Sequence, residues 1–368
     1  MNKLKLVLLT SDDSYADYFS NFMLNPDNNN RFSTKIFTNK DSFNQMMRNQ
    51  KQHILLTDYN LEDIDVSVFE KTIILRDKDE YIPEDVPNIL KYQPIKNLLD
   101  KVLAIFYEEN GNLQLLSNEG DTGSYVISFY GGSSGVGKTL SSLCLARHLS
   151  IKDKRVFYLN LETVHTTLLY FKEEKESSAE VFYYVKNNKD KLLSKIEFLK
   201  SRDDLTGIDY FALPVNPEEM DIFTGEDLEV LIQALKATKD YDFIIIDLDS
   251  TLHERNTRAL EISDEVFWLL SSDEASFSRS KYILESNTAC ENLDRAKIHF
   301  VINKMGTDVF NGFDRFNFSI EDRLPFNEHF LLQSEETKLH EDTVIGERLF
   351  RLMKSLVKED TEVSSVGN

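Results

Sequence analysis

The stretch YGGSSGVGKT, Tyr130 to Thr139, decides how the chain is read. From Gly132 onward it fits GxxxxGK[ST], and four of the chain's 13 glycines fall in the seven positions 131–137. Glycines at that density let consecutive backbone N–H groups turn inward around a phosphate, and a following helix adds the positive end of its dipole. An apolar run, SYVISFY, precedes the stretch and a helical one, TLSSLCLARHLS, follows it, so a strand–loop–helix unit is expected. In such a unit Lys138 reaches the β- and γ-phosphates and the Thr139 hydroxyl binds Mg²⁺; the alternative is a chance glycine turn.

Further strands follow in RVFYLNL, DYFALP, DFIIID, EVFWLL and IHFVIN, with helical stretches such as GEDLEVLIQALKATK between most of them. The economical reading is a doubly wound sheet. The strand YDFIIIDLDS ends in Asp247, with Asp249 two residues on, and a carboxylate at that edge either holds the Mg²⁺ shell through water or is a solvated strand-end residue. In VFYLNLETVHTT, Asn160 and Glu162 follow a strand expected to lie next to the phosphate loop; Glu162 either orients a water toward the γ-phosphate or is an exposed loop acid. Asn303, leaving the strand in HFVINKMG, is a base-edge amide or a turn residue.

Before Glu108 the runs LKLVLL, HILLTD and KTIILR alternate with polar or amphipathic stretches, which suggests a smaller parallel α/β domain over residues 1–108. Residues 109–123 hold three glycines in a polar run and read as a linker, 124–358 as the second domain and 359–368 as an acidic tail. The chain has 63 acidic and 42 basic residues, a net charge of −21 that works against sequence-blind DNA binding. The first apolar run is too short for a signal segment or a membrane span, so a cytoplasmic protein is expected. Cys144 and Cys290 lie far apart, without metal-ligand spacing, which leaves a disulfide framework and a structural zinc site without support.

These residues together resemble the MinD/ParA branch of P-loop ATPases, the deviant Walker A proteins, over about Ser124 to Leu356. DFIIIDLDS resembles their Walker B strand, NLETVHTT their switch I, VINKMG their adenine-contacting segment, and LPFNEHFLLQSEETKL their later proline loop. The resemblance implies ATP and Mg²⁺ as ligands. Ser133, Ser134, Gly135, Val136, Gly137, Lys138, Thr139 and Leu140 would lie around the phosphates, and Asn303, Lys304 and Pro325 around the base. Thr139 and Asp247 would serve the metal, and Lys138 and Glu162 catalysis. Two departures matter. The family's early lysine, which crosses to the partner subunit, is Ser133 here, and its switch I aspartate is Glu162; the first implies slow or absent hydrolysis.

The N-terminal part resembles response-regulator receiver domains, with Asp12 and Asp13 after the first strand and Asp58 after the third. The family's hydroxyl residue aligns with Arg76 and its lysine, placed before the late proline, with Gln93 ahead of Pro94, which implies a pseudo-receiver. The expected fold class is therefore α/β, a flavodoxin-like domain followed by a mostly parallel, doubly wound P-loop sheet. The combination resembles the TadZ/CpaE family of pilus-assembly proteins. That resemblance implies a homodimer at a cell pole or the inner membrane face, working with Tad pilus secretion components or a polar landmark and not with nucleic acid. Beside it stand a ParA-like DNA carrier, which the charge of −21 counts against, and two further alternatives. One is an active MinD-like positioning ATPase, whose last helix, with Leu349, Phe350, Leu352, Met353 and Leu356 among basic residues, would lie on a membrane. The other is a kinase of the bacterial tyrosine-kinase type, against which no tyrosine follows Tyr282.

Overall fold

The computed structural model describes residues 3–24, 32–48, 50–78, 87–110, 123–171, 178–286, 292–305, 310, 312–326 and 343–363. The chain divides into two units, Met1–Leu116 with Lys189–Phe198, and Ser117–Asn188 with Leu199–Asn368.

In the first unit, β1 (Leu4–Leu9), β2 (Phe32–Phe37), β3 (Gln52–Thr57), β4 (Phe69–Arg76) and β5 (Asn88–Leu90) form one sheet in the order β2-β1-β3-β4-β5. Every pairing in it is parallel. Successive residues of a strand face opposite sides, so an apolar run such as LKLVLL is stable only when both sides are covered. Leu6 and Leu8 pack with Phe19 of α1 (Asp13–Leu24) and with Leu98 and Val102 of α3 (Ile95–Asn110). Val7 and Leu9 pack on the other side with Phe43 and Met47 of α2 (Lys40–Met47).

The second unit holds an eight-stranded sheet: β6 (Tyr125–Tyr130), β7 (Val156–Asn160), β8 (Ser201–Arg202), β9 (Asp209–Tyr210), β10 (Phe243–Asp247), β11 (Glu265–Leu270), β12 (Ile298–Met305) and β13 (Ile320–Pro325). Its order is β13-β12-β11-β6-β10-β7-β9-β8, and only β8 runs antiparallel to its neighbour. The stretch DYFALP supplies only the two-residue β9. β7 pairs with β10, which lies between it and the phosphate-loop strand β6.

α4 (Lys138–Ile151) starts at the loop and is buried on most sides, with Ser141, Leu143, Cys144, Leu145, Ala146 and Leu149 all covered. A helix enclosed in this way needs a second cover besides the sheet. That cover is α11 (Val344–Val363), whose Ile345, Leu349 and Met353 are buried in the same core. Leu349 and Met353, central to the membrane-lying alternative, therefore have a place inside this unit. The side chains beyond Met353 lie outside the described residues, as do most of 109–123 and the tail 364–368.

Candidate functional site

The phosphate loop joins the carboxyl end of β6 to α4, at the point in the sheet where one neighbour, β10, and the other, β11, lead to opposite halves. In open α/β sheets ligands bind in such crevices. Gly137 caps α4 with φ +90°, a left-handed conformation that L side chains rarely adopt, so the turn into the helix depends on glycine there. Ser134 and Gly135 are exposed at the loop tip, whereas Ser133, Val136 and Lys138 are buried, and Gly137, Thr139 and Leu140 are intermediate.

Lys138 Nζ donates to Ser250 Oγ at 2.9 Å. The Thr139 hydroxyl lies 3.4 Å from Glu162 Oε2, so Glu162 reaches the loop although its strand is not adjacent to β6. Glu162 N in turn donates to Asn160 Oδ1 at 2.9 Å. Asp247 is fully buried and accepts from the Tyr158 hydroxyl at 3.0 Å and from Asn160 Nδ2 at 3.4 Å, all through Oδ2. Its other oxygen, Oδ1, is buried with no hydrogen-bond partner among the described residues. Burial, with the Glu162 charge beside it, pushes the Asp247 carboxyl up to about 7, against the charge of Lys138 and the hydrogen bond from Tyr158. Burial also raises Glu162, with Lys138 pulling the other way. Two acids held close together beside a lysine and a hydroxyl suit a cation bridging to phosphate oxygens, and an orphan carboxylate oxygen is the atom such a cation or its water would satisfy. Asp247 and Thr139 thus fit Mg²⁺.

Asp249 is held elsewhere. It accepts from Thr163 Oγ1 at 2.8 Å, from Thr251 Oγ1 at 2.6 Å, and from Arg255 Nη2 at 3.1 Å. Arg255, fully buried, also donates to the carbonyls of Leu161 (3.1 Å) and Met220 (2.8 Å) and to Thr163 Oγ1 at 2.7 Å. It ties the segment after β7 to the segment after β10. Hydrogen bonds from Thr251, Thr163 and Asn256 outweigh burial and hold Asp249 below the ordinary carboxylate range.

Asn303, on β12, is buried and donates to Val136 O at 2.8 Å, bracing the phosphate loop from behind. Pro325 is exposed at the end of β13, in register with Met305. The Lys304 side chain and residues 327–342, which carry most of the proline loop, lie outside the described residues. Tyr158, Ser250 and Arg255 escape sequence reading. A tyrosine inside an apolar strand does signal a hydroxyl in need of a partner, but nothing local says that the partner is Asp247.

The first unit has an acid pocket of its own. Lys91, buried just past β5, lies 2.8 Å from Asp58 Oδ2 and 3.3 Å from Asp12 Oδ2. Asp58 also accepts from Thr10 Oγ1 at 2.6 Å and Ser11 N at 2.9 Å, while the Tyr92 hydroxyl donates to Asp12 at 2.9 Å. An alignment on Pro94 puts Gln93 in the place of a lysine; the pocket's cation is Lys91, two residues earlier. Arg76 is turned to Asn88 at 2.8 Å.

Residues 124–286 match a family model described as an AAA domain. No curated protein sequence matches the chain. Among solved structures, a ParA family ATPase from Chlorobium tepidum TLS is similar at 18% identity and TM-score 0.50, over 59% of this chain and 90% of its own. The Pyrococcus furiosus cell division ATPase MinD is similar at 16% identity and TM-score 0.50, over 64% of this chain and 99% of its own. Residues 124–286 therefore match an AAA domain, and the parallel α/β fold that carries the phosphate loop is that of ParA-family and MinD ATPases.

Proposed function

We propose that the protein is an ATP·Mg²⁺-binding scaffold of the TadZ/CpaE type, in which nucleotide stabilises a homodimer and hydrolysis is slow or absent. The observation that carries the nucleotide reading is the buried Asp247, with its orphan oxygen, near the Thr139 hydroxyl at the mouth of a glycine loop holding Lys138. Ser133 stands where a catalytic cation would be expected from the resemblance, which favours holding over turnover. The parallel order β2-β1-β3-β4-β5 and the Asp12–Asp58–Lys91 pocket support a receiver-like first unit used for contact or localisation. The pilus-secretion role, polar placement and contact with a landmark protein rest on the resemblance. Among the described residues no helix is long and apolar enough to cross a membrane.

The test is MgATP titration of the wild type and of Lys138→Ala by calorimetry, with turnover and oligomeric state measured on the same samples. Loss of at least tenfold in affinity, about 1.4 kcal/mol, is expected for the variant. Unchanged affinity removes the site assignment. Restored turnover in Ser133→Lys identifies the missing charge as the limit on hydrolysis.

A further inference from the structure

A second cation meets the phosphate loop. Arg279, exposed on α10 (Glu274–Glu285), donates from Nη1 to the Ser133 hydroxyl at 3.1 Å, across 146 residues of chain. The helix that carries it is firmly seated. Trp268 Nε1, on β11, donates to Ser280 Oγ at 2.9 Å, Asp273 caps the helix by accepting from Ser276 N at 2.9 Å, and Phe277 packs edge-on against Phe310 and tilted against Phe316 and Phe318. A Cβ on Gly132 would lie 3.2 Å from Ser280 N, so this helix touches the loop backbone itself.

Position sets Arg279 apart. The loop follows β6, which lies between β10 and β11. Lys138 is engaged on the β10 side, through Ser250, whereas Arg279 arrives from the β11 side. Arg155, Arg255, Arg258 and Arg348 are all in ion pairs with carboxylates. Arg279, in a chain with a large excess of acid, has no carboxylate partner among the described residues and rests on a loop hydroxyl instead. Its fork keeps further donors free, in the planar geometry that suits phosphate oxygens.

We infer that Arg279 contacts the terminal phosphate of the bound nucleotide and makes the site prefer the triphosphate over the diphosphate; the inference rests on the nucleotide reading above. Loop N–H groups and the helix end enclose the inner phosphates. The terminal one projects furthest from that cradle, where an exposed guanidinium at the loop edge meets it. Ser133 is then the anchor that holds the guanidinium ready, so Arg279 works on a preorganised bond.

The experiment titrates wild type, Arg279→Ala, Arg279→Lys and Lys138→Ala with the β,γ-imido analogue of MgATP and with MgADP. Arg279→Ala is expected to lose about tenfold in affinity for the triphosphate analogue, with less than about twofold change for ADP, as fits one charge-assisted contact. Arg279→Lys should recover part of the loss, and the melting temperature without nucleotide should not move. Equal affinities in wild type and Arg279→Ala, or equal losses for both nucleotides, overturn the inference while leaving the site standing, provided Lys138→Ala weakens both. Absence of binding by the wild type overturns the nucleotide reading and this inference together.

Discussion

Lys138 Nζ donates to Ser250 Oγ at 2.9 Å, a bond that joins the phosphate loop to the segment just after β10. A phosphate entering the loop competes with that hydroxyl for the ammonium. Ser250→Ala removes the competitor and is expected to tighten MgATP binding about threefold to fivefold, since a single intramolecular hydrogen bond is worth about 1 kcal/mol. Calorimetric titration checks this; weaker binding would mean that Ser250 itself holds the ligand.

Asp247→Asn replaces a buried carboxylate, one oxygen of which has no hydrogen-bond partner among the described residues, by a neutral isostere. The carboxyl's folded pKa, about 7, is above its unfolded value, so the folded state binds the proton more tightly and stability falls as pH rises toward 7. In thermal melts at pH 8 without nucleotide, the variant should be more stable than wild type, by on the order of 2 kcal/mol, and the gap should narrow as pH falls below 7 and close only near pH 4. The same variant should lose the Mg²⁺ dependence of nucleotide binding.

At the opposite end of the second sheet, His299 on β12 sits between two glutamates. Nε2 meets Glu265 of β11, and Nδ1 is 2.9 Å from Glu321 of β13; the Tyr125 hydroxyl also donates to Glu265, at 2.7 Å. Burial lowers the imidazole pKa, but the Glu265 hydrogen bond and the charges of Glu321 and Glu265 bring it above the ordinary value. A raised histidine pKa means that the stabilisation is complete below about pH 6.5 and is lost as pH rises through the folded value. His299→Gln should therefore be less stable than wild type at pH 6, with the difference shrinking by pH 9, as read from chemical denaturation at a series of pH values.

Lys91 is buried between Asp58 and Asp12, so Lys91→Met leaves Asp58 with its hydroxyl and amide donors and no counter-charge. Breaking a buried pair from one side is strongly destabilising, and with Asp12 partly exposed a loss of about 1–3 kcal/mol in the first unit is expected. Lys91→Arg should restore part of it. Denaturant unfolding followed by hydrogen exchange in residues 3–24 and 50–58 reads the loss in that unit.

Much of the site was legible because its parts are local. Tyr130 to Thr139 carries its own strand, turn and helix start, and Asp247 closes an apolar run whose length and β-branched content mark a buried strand. The acid pocket was misread by two residues because counting back from Pro94 assumes the spacing of a family, while the chain leaves β5 at Leu90 and turns Lys91 inward. Arg279 carries no local mark at all: an arginine on an exposed helix face reads as a solvated residue, and only the seating of that helix on the loop puts it at Ser133.

The sequence alone determined the elements and their periodic faces: two alternating α/β series, a phosphate loop between strand and helix, and acids at strand ends. Hydrophobic period and turn chemistry are properties of neighbouring residues, so they survive without a fold. The tertiary structure alone decided which strands lie side by side and what their ends bring together. It inserts β10 between β6 and β7, assigns Lys189–Phe198 to the first unit, and covers α4 with the final helix. It also aims Lys138 and Arg279 at one loop from opposite sides. Strand order depends on how whole faces pack against one another, a sum over many distant residues that no local period records.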